Sequence, residues 1–270
     1  MEASTHETLT KYMETFWGIG SWNAKIWFVG IEEGLVTNKK NEEVRKEASR
    51  IFKYWNEAGR PELRDEIDFQ RKVYSDKGSL FEGNKIAIQK TWRGIIAVYN
   101  CAVLDNPRTM TKESVRTFQS NDLPAQLKTG RLCIVNLLPL PANNIKQLSS
   151  LIGSQEAAME YRDSRPRLRA NELASKIIDH RPSVVVFHGM ARDSEFRYIT
   201  KSCGANLPSK KQIVEDPKKK YKSRNNYYFL AESERTTYVL TKHFSMGWSY
   251  EDLCLLGQII KDFSTKKQAL

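Results

Sequence analysis

Short polar segments recur where apolar stretches of this chain end. Gly30-Ile31-Glu32-Glu33-Gly34 follows one such stretch, Asn136 follows a second, His188-Gly189 closes a third, and His243 comes soon after a fourth. A fifth segment, Gly78-Ser79-Leu80-Phe81-Glu82-Gly83, places an aromatic ring between glycines. No segment is informative alone, but together their carboxylate, amide, imidazole and aromatic groups predict a pocket that encloses one nucleotide.

The apolar stretches that precede these segments have the length and composition of buried β-strands. The run at 183–187 is rich in β-branched residues, which indicates burial on both faces of a sheet. The four predicted strands are 25–29, 132–135, 183–187 and 237–241. Helices are predicted at 7–17, 39–58, 84–99, 154–180 and 250–263.

Strands that alternate with helices predict an α/β fold. We expect a three-layer sandwich in which helices cover both faces of a central four-stranded, mainly parallel sheet. Such sheets bind ligands outside the carboxyl ends of their strands, which is where the polar segments fall. The chain is expected to form one domain over residues 1–270, with insertions at about 37–77 and 192–235.

The formal net charge of the chain is +11 at pH 7, which favours an anionic polymer or surface as partner. Lys218, Lys219 and Lys220 lie in the second predicted insertion, just before a run at 221–228 in which tyrosines alternate with polar and basic residues. That mixture suits contact with a nucleic-acid backbone and stacking on bases better than contact with a membrane.

Several other classes of protein are disfavoured by the sequence. No apolar run approaches the roughly 20 residues that span a bilayer, and no signal peptide is recognisable, so a cytoplasmic protein that does not bind membranes is expected. The cysteines, Cys101, Cys133, Cys203 and Cys254, include no CxxC pair. We therefore expect reduced thiols, no metal and no cofactor.

The order of the polar segments resembles the uracil-DNA glycosylase superfamily. That order is a strand, a Gly-x-acid-x-Gly type loop, a Gly-x-x-Phe-x-Gly loop before a helix, a strand ending in Asn, a strand ending in a small-residue turn, and a strand leading into a His-x-Ser loop. The resemblance covers about residues 25–263 and implies a glycosylase-like fold and DNA as the partner. A monomer is expected, but the sequence leaves the oligomeric state open. The cysteine spacing of the iron-sulfur branch is missing.

The resemblance implies roles for the first three segments. Glu32 matches the acidic residue that orients water or opposes positive charge on the sugar, and Glu33, which stands where proline is usual, is the alternative. Phe81 matches the aromatic ring that stacks on the extruded base. Asn136 matches the amide that reads the base edge. Because an amide offers both a donor and an acceptor, Asn136 alone does not name the base.

The last segment is expected to stabilise the leaving base and to contact DNA. His243 matches the histidine that donates to base O2, although Phe244 replaces the proline that usually follows it. Ser245 is expected to contact a phosphate that flanks the flipped nucleotide, as the three lysines at 218–220 contact the backbone more generally. Met246 or Trp248 is expected to fill the gap in the base stack, although Trp248 equally suits the core.

Three pocket residues bear on the size of the substrate. Gly30 and Gly34 belong to the first loop, and Gly34 leaves open the space at pyrimidine C5 that a tyrosine blocks in some members of the superfamily. His188 stands where small or apolar residues are usual. It lines the pocket, contacts an enlarged substrate, or accepts a backbone hydrogen bond, and the sequence leaves these alternatives open.

The resulting hypothesis is a monofunctional DNA glycosylase that flips out a uracil or a 5-modified pyrimidine and hydrolyses its bond to the sugar, leaving an abasic site. One alternative is a glycosylase specific for hypermodified phage bases that acts in antiphage defence. Another is a catalytically inactive DNA-binding protein of the same fold. An enzyme acting on free nucleotides agrees less well with the net charge of +11.

Overall fold

The chain folds around a mixed sheet of eight strands in the order β3-β1-β4-β2-β5-β8-β7-β6. The computed structural model describes residues 3–32, 41–74, 81, 89–103, 111–142, 144–189, 193–212 and 227–268. The strands are β1 (Gly18–Gly20), β2 (Ile26–Glu32), β3 (Leu63–Arg64), β4 (Leu132–Leu138), β5 (Val184–His188), β6 (Ser209–Gln212), β7 (Tyr227–Glu232) and β8 (Thr237–Thr241).

The four central strands are the ones predicted from apolar runs, and they are parallel to one another. β2 pairs with both β4 and β5, and β5 pairs with β8. On one side the sheet continues into β1, antiparallel to β4, and β3, parallel to β1. On the other side it continues into β7 and β6, each antiparallel to its neighbour. The α/β class is therefore confirmed, but the expected sheet of four strands is wrong.

Three of the four additional strands escaped prediction because their sequences carry no recognisable apolar run. The fourth, β7, reads Tyr-Tyr-Phe-Leu-Ala-Glu and does carry one, but it lies in the stretch predicted to be an insertion. β1 is Gly18-Ile19-Gly20 and β3 is Leu63-Arg64, both too short for a recognisable pattern. β6 reads Ser209-Lys210-Lys211-Gln212, a polar strand at the edge of the sheet. Lysines on an edge strand discourage pairing with other chains, so this composition suits the position. The same composition lacks the apolar residues from which a strand is predicted.

The helices flank the sheet and also form a group of their own. They are α1 (Ala3–Thr15), α2 (Asn41–Glu57), α3 (Glu66–Tyr74), α4 (Lys90–Val103), α5 (Lys112–Thr117), α6 (Leu123–Lys128), α7 (Ile145–Ile152), α8 (Gln155–His180), α9 (Asp193–Ser202) and α10 (Tyr250–Gln268). A π-helical segment, Phe118–Asp122, joins α5 to α6. Among the helices of the described residues, none is long and apolar enough to cross a membrane.

Alternate residues of each central strand enter different parts of the core. Phe28 and Val186 face the cluster formed with α4, α5, α6 and α10, whereas Trp27 and Val185 face the cluster formed with α8 and α9. The sheet is therefore covered on both faces, which accounts for the fully buried run of β5. A third cluster joins α1, α2, α3 and α7 to the residues that follow β4.

Helices α4 and α10 approach each other closely and are joined covalently. Cys101 of α4 forms a disulfide with Cys254 of α10, so the expectation of reduced thiols is wrong for this pair. Cys133 and Cys203 are free thiols. The pairing was not visible in the sequence because 153 residues separate the two cysteines and only helix packing brings them together.

Replacing Gly257 of α10 by alanine tests this close approach. A Cβ there would lie 2.5 Å from the Val98 carbonyl oxygen and 2.7 Å from Cys101 Cβ. We expect the free energy of unfolding to fall by about 1–3 kcal/mol, although alanine is otherwise the better helix former by roughly 1 kcal/mol. Chemical denaturation measures the change, and the exposed Gln258 replaced by alanine is the control. A gain in stability for the Gly257 variant would show that the helices do not touch there.

Candidate functional site

The carboxyl ends of the four parallel strands meet at one cavity. Gly30 of β2 lies opposite Asn136 of β4, and His188 of β5 lies opposite Thr241 of β8, two residues before His243. The cavity has a volume of about 360 Å³, and Asn136, His188 and His243 all line it. Three side chains predicted to act together, from distant parts of the chain, are therefore brought to one place by the parallel sheet.

Gly30 leaves the space in which two of these side chains converge. A Cβ at this position would lie 2.6 Å from Asn136 Oδ1, 3.1 Å from His188 Cε1 and 3.2 Å from His188 Nε2. The first of these distances is shorter than a side chain tolerates, so the amide oxygen and the imidazole ring occupy the place of a missing side chain. The glycine is required here by close approach rather than by a turn.

Asn136 is held by hydrogen bonds on both sides of its Cα atom. Its backbone N–H donates to the Trp17 carbonyl oxygen at 2.9 Å, and its own carbonyl oxygen accepts from Arg169 Nη2 at 3.2 Å. The side chain is half-buried and lines the cavity. These contacts fix the backbone, so the amide is presented to the cavity from a rigid strand end.

His188 is a buried, neutral histidine with no hydrogen-bond partner among the described residues. Only 5% of the residue is exposed, and neither ring nitrogen is satisfied by the protein. Burial, and the positive charge that His243 can carry, lower the pKa of His188 to about 3. The ring stacks on Phe244 with centroids 5.0 Å apart. A neutral imidazole offers one donor and one acceptor, and leaving both unmet is costly, so the polar partners of His188 must come from the cavity that it lines, as water or as a ligand.

The hydrogen bonds of His243 fix the position of its proton. Nδ1 accepts from the Ser245 backbone N–H at 3.3 Å and lies 2.7 Å from the Ser245 hydroxyl oxygen. Because Nδ1 acts as an acceptor, the proton of the neutral ring lies on Nε2, which is then a donor. Burial lowers the pKa of His243, which favours this neutral form. The ring centroids of His188 and His243 are 5.4 Å apart, so two imidazoles share the site.

The rest of the His243 loop divides into a buried part and an exposed part. Phe244 is fully buried against Gly94, where a Cβ would lie 2.4 Å from the phenylalanine Cβ. Trp248 is also buried and packs edge-on against Phe244, with centroids 6.0 Å apart. Met246 is 62% exposed. Met246 and Trp248 were both expected to fill a gap in stacked bases, but only Met246 is at the surface. Trp248 belongs to the core because the apolar face of the loop packs on α4.

Phe81, the predicted stacking ring, is buried in the core and does not line the cavity. It packs edge-on against Trp92 of α4, with centroids 6.2 Å apart, and Trp92 lines the cavity. Trp92 is thus an aromatic residue of the site that was not predicted. The apolar periodicity of α4 placed it on a helix without showing that its ring faces the cavity.

A second group of unpredicted residues forms the opposite side of the cavity, here called the α3 wall. It consists of Arg64, Glu66, Phe69, Gln70 and Tyr74, all inside the stretch predicted to be an insertion. The Glu66 carboxylate accepts from Arg64 Nε at 2.8 Å and from Gln70 Nε2 at 2.8 Å. The Arg64 guanidinium lies 3.5 Å from the centroid of the Phe69 ring. The insertion therefore contributes a polar, hydrogen-bonded surface to the site.

Some predicted site residues lie outside the described residues. Glu32 is the last residue of β2, opposite Leu138 of β4, but its side chain is not described. The remaining ones are Glu33, Gly34, Lys218, Lys219 and Lys220. Among the described residues, no cluster of histidine, cysteine, aspartate or glutamate could hold a metal ion.

Comparison of the chain with protein-family models, with curated proteins and with solved structures finds no match. Function therefore has to be inferred from the residues and the geometry of the site.

Replacing His188 by leucine is expected to make stability less dependent on pH. Because its pKa is about 3 in the folded chain and near 6.5 when unfolded, the unfolded state takes up the proton first as the pH falls. His188 thus removes up to about 1.4 kcal/mol of stability per pH unit between these values, and the leucine variant should lack this slope. Denaturation at several pH values measures it.

The exposed His180 of α8, replaced by leucine, is the control for exchanging a histidine for leucine as such. Equal slopes for the His188 variant and the wild type would mean that His188 is accessible to protons in the folded state.

Proposed function

We propose that this protein is a monofunctional DNA glycosylase that excises uracil or a 5-modified pyrimidine from DNA. The observation that carries the proposal is the convergence of Asn136, His188 and His243 on one cavity, with the first two occupying the space above Gly30. These groups are polar and fixed by the parallel sheet, which suits recognition of a flat heterocycle. The α/β fold and the carboxyl-end location agree with the resemblance to the uracil-DNA glycosylase superfamily.

Recognition of the base is assigned to Asn136 and His188. The Asn136 amide pairs with the polar edge of the base through one donor and one acceptor. His188 adds a second neutral group beside it and gains the hydrogen bond that the protein itself does not supply. A flipped base therefore recovers, inside the cavity, part of the hydrogen bonding that it gives up on leaving the duplex.

Departure of the base is assigned to His243. As the bond between sugar and base breaks, its electron pair leaves with the base and negative charge develops on the pyrimidine. The Nε2–H of His243 donates to that charge, and the Ser245 hydrogen bonds keep the ring in the required tautomer. We therefore assign to Ser245 the orientation of His243, in addition to the phosphate contact expected from the sequence.

The sugar carries the opposite charge, and stabilisation of that charge is assigned to the end of β2. Glu32, or Glu33 beside it, opposes the positive charge on the deoxyribose and orients water for attack on the sugar carbon. The oxygen of water forms the new bond to the sugar carbon, and the proton that water releases neutralises the departing base. The products are a free base and an abasic site.

Contact with DNA is assigned to the basic surface and to Met246. The net charge of +11 attracts the phosphate backbone over long range, and Lys218, Lys219 and Lys220 are expected to contribute to it. Met246 is exposed beside the site and apolar, so it is suited to enter the gap that a flipped nucleotide leaves.

A second candidate, a glycosylase specific for hypermodified phage bases acting in defence, is favoured by the α3 wall. Arg64, Glu66 and Gln70 are buried polar residues that line the same cavity as Asn136. A pyrimidine with a polar substituent at C5 can place hydrogen-bonding groups against such a wall, whereas uracil carries only hydrogen at C5. A cavity of about 360 Å³ falls in the range that holds drug-sized ligands.

The two candidates and an inert DNA-binding protein are separated by identifying the base that is released. Oligonucleotides with uracil or 5-modified pyrimidines, and DNA from phages with modified bases, are incubated with the protein and freed bases are identified by mass spectrometry. Release of uracil supports the repair-type enzyme, and release of bulky bases only supports the second candidate. Tight DNA binding without release of any base would favour the inert protein.

Replacing His243 by alanine is expected to lower the single-turnover rate of base release by about 10²- to 10³-fold, the effect typical of one missing donor at a developing anion. Replacing Glu32 by alanine should likewise lower the rate far more than the affinity for DNA. The exposed His180 of α8, replaced by alanine, is the control and should leave the rate unchanged. Replacing Ser245 by alanine removes the hydroxyl but leaves the His243 ring and the backbone hydrogen bond. Its effect should be smaller. Equal reductions of rate and affinity for the first two variants would indicate structural roles.

Replacing Lys218, Lys219 and Lys220 together by alanine should weaken binding to all DNA sequences alike. The logarithm of affinity plotted against the logarithm of salt concentration should become shallower by about 0.9 for each phosphate that the variant no longer neutralises. Fluorescence anisotropy at several salt concentrations measures the slope, and Lys53, an exposed lysine of α2, is the control position. A weakening confined to one base would contradict a backbone role.

A further inference from the structure

Arg169 of α8 is a charged residue that is completely enclosed by the protein. Its exposure is 0%, and its guanidinium donates to three backbone carbonyl oxygens. Nη1 lies 3.3 Å from the oxygen of Met13, and Nη2 lies 2.8 Å from that of Phe16 and 3.2 Å from that of Asn136. One side chain thus links the end of α1 to the strand end that carries the proposed base-reading amide.

The charge of Arg169 is only partly balanced by its surroundings. Among the described residues, no carboxylate oxygen lies within 4.0 Å of its guanidinium, and Nε has no hydrogen-bond partner. The balance comes from the carbonyl oxygens at the end of α1, where the helix dipole is negative, and from the more distant Glu172 carboxylate. Burial lowers the pKa of Arg169 to about 10, so the group remains positive at neutral pH. A buried charge without an ion-pair partner is expensive for stability alone.

Trp17 completes the unit that holds Asn136. The Arg169 guanidinium lies 3.5 Å from the centroid of the Trp17 ring, and the Trp17 carbonyl oxygen accepts the Asn136 N–H. Both peptide groups that flank the Asn136 Cα atom are therefore fixed by two residues that touch each other. Neither residue lines the cavity, so their effect on a ligand must pass through Asn136 or through the electric field.

We infer that Arg169 is a positioning residue that acts on the base through Asn136 and whose charge favours the anionic form of the leaving base. The inference rests on the proposed glycosylase function. The guanidinium donates to the backbone carbonyl oxygen of the residue whose side chain is assigned to read the base, so its positive charge lies 3.2 Å from the Asn136 backbone. Charges in a low-dielectric interior interact more strongly than charges in water. The Arg169 charge stabilises the base more as negative charge develops than in the ground state, which is the condition for catalysis.

The positioning part is tested by a double-mutant cycle. Lysine at position 169 keeps the charge but cannot hold the Phe16 and Asn136 carbonyl oxygens with one planar fork. Single-turnover rates are measured for the wild type, Arg169→Lys, Asn136→Ala and the double variant. We expect Arg169→Lys to lower the rate about tenfold in the wild-type background and to have little further effect once Asn136 is alanine. An equal reduction in both backgrounds would overturn the positioning role.

The charge part is tested with bases that differ as leaving groups. Fluorine at C5 withdraws electrons, so 5-fluorouracil leaves more readily than uracil and depends less on stabilisation by the protein. Arg169→Gln removes the charge and keeps an amide donor for the carbonyl oxygens. We expect it to lower release of uracil about tenfold more than release of 5-fluorouracil. Arg169→Lys should keep the wild-type ratio of the two rates.

Arg165→Gln is the matched control. Its Nη2 also donates to the Met13 carbonyl oxygen, at 2.7 Å, yet its hydrogen bonds do not include Asn136. Glutamine removes its charge as it does at position 169, and this change should alter both rates by the same factor. Thermal unfolding of every variant separates a failure to fold from a lower rate.

The possible results separate the charge role, the positioning role and the proposed function. If Arg169→Gln lowers both rates equally, the charge has no role in catalysis. If Arg169→Gln does not fold, the double-mutant cycle of Arg169→Lys with Asn136→Ala still decides the positioning role. The role of the charge is then overturned if Arg169→Lys, which keeps the charge, changes the ratio of uracil release to 5-fluorouracil release. If the wild type releases neither base nor any modified base, the proposed function itself fails, which is distinct from an active wild type whose variants show no coupling.

Discussion

The site depends on a steric constraint at the end of one central strand: Gly30 has no side chain, and the Asn136 amide and His188 imidazole occupy the space that a Cβ would need. Two strands on either side of β2 thereby present polar groups to a common point. Parallel pairing brings the strand ends level, but without the glycine the two side chains would be held apart. The arrangement of the cavity, and the chemistry proposed for it, follow from this close packing.

The polar groups that meet there are largely uncharged, and burial accounts for that. His188 is kept neutral by its enclosure, and the pKa of His243 is lowered in the same way while its proton is placed on Nε2 by the Ser245 hydrogen bonds. Neutral donors and acceptors recognise a neutral heterocycle without the desolvation cost of buried charges. Formal charge lies behind this layer, in Arg169, and in other residues that line the cavity, namely the ion pair of Arg64 and Glu66 and the side chain of Arg162.

The four central strands and the meeting of Asn136, His188 and His243 could be predicted from the sequence, because apolar runs mark buried parallel strands and the carboxyl ends of such strands lie together. The α3 wall could not, since amphipathic periodicity shows that a segment is helical without showing which surface it packs against. Arg169 did leave a signal: it stands in the buried stripe of α8 with Ala170, Leu173 and Ile177. Phe81 and Trp248 were predicted to belong to the site but lie in the core, because an aromatic residue in a loop motif can serve packing instead of binding.

The pairing of β3 with β1 has a consequence for the breadth of the cavity. Arg64 is opposite Ile19, and Ile19 is opposite Ile134, two residues before Asn136 on the same strand. Arg64, the one residue of the α3 wall that belongs to a strand, therefore lies two strands from β4, or about 10 Å at the usual interstrand spacing. Backbone pairing thus sets how far this end of the wall stands from the strand that carries Asn136.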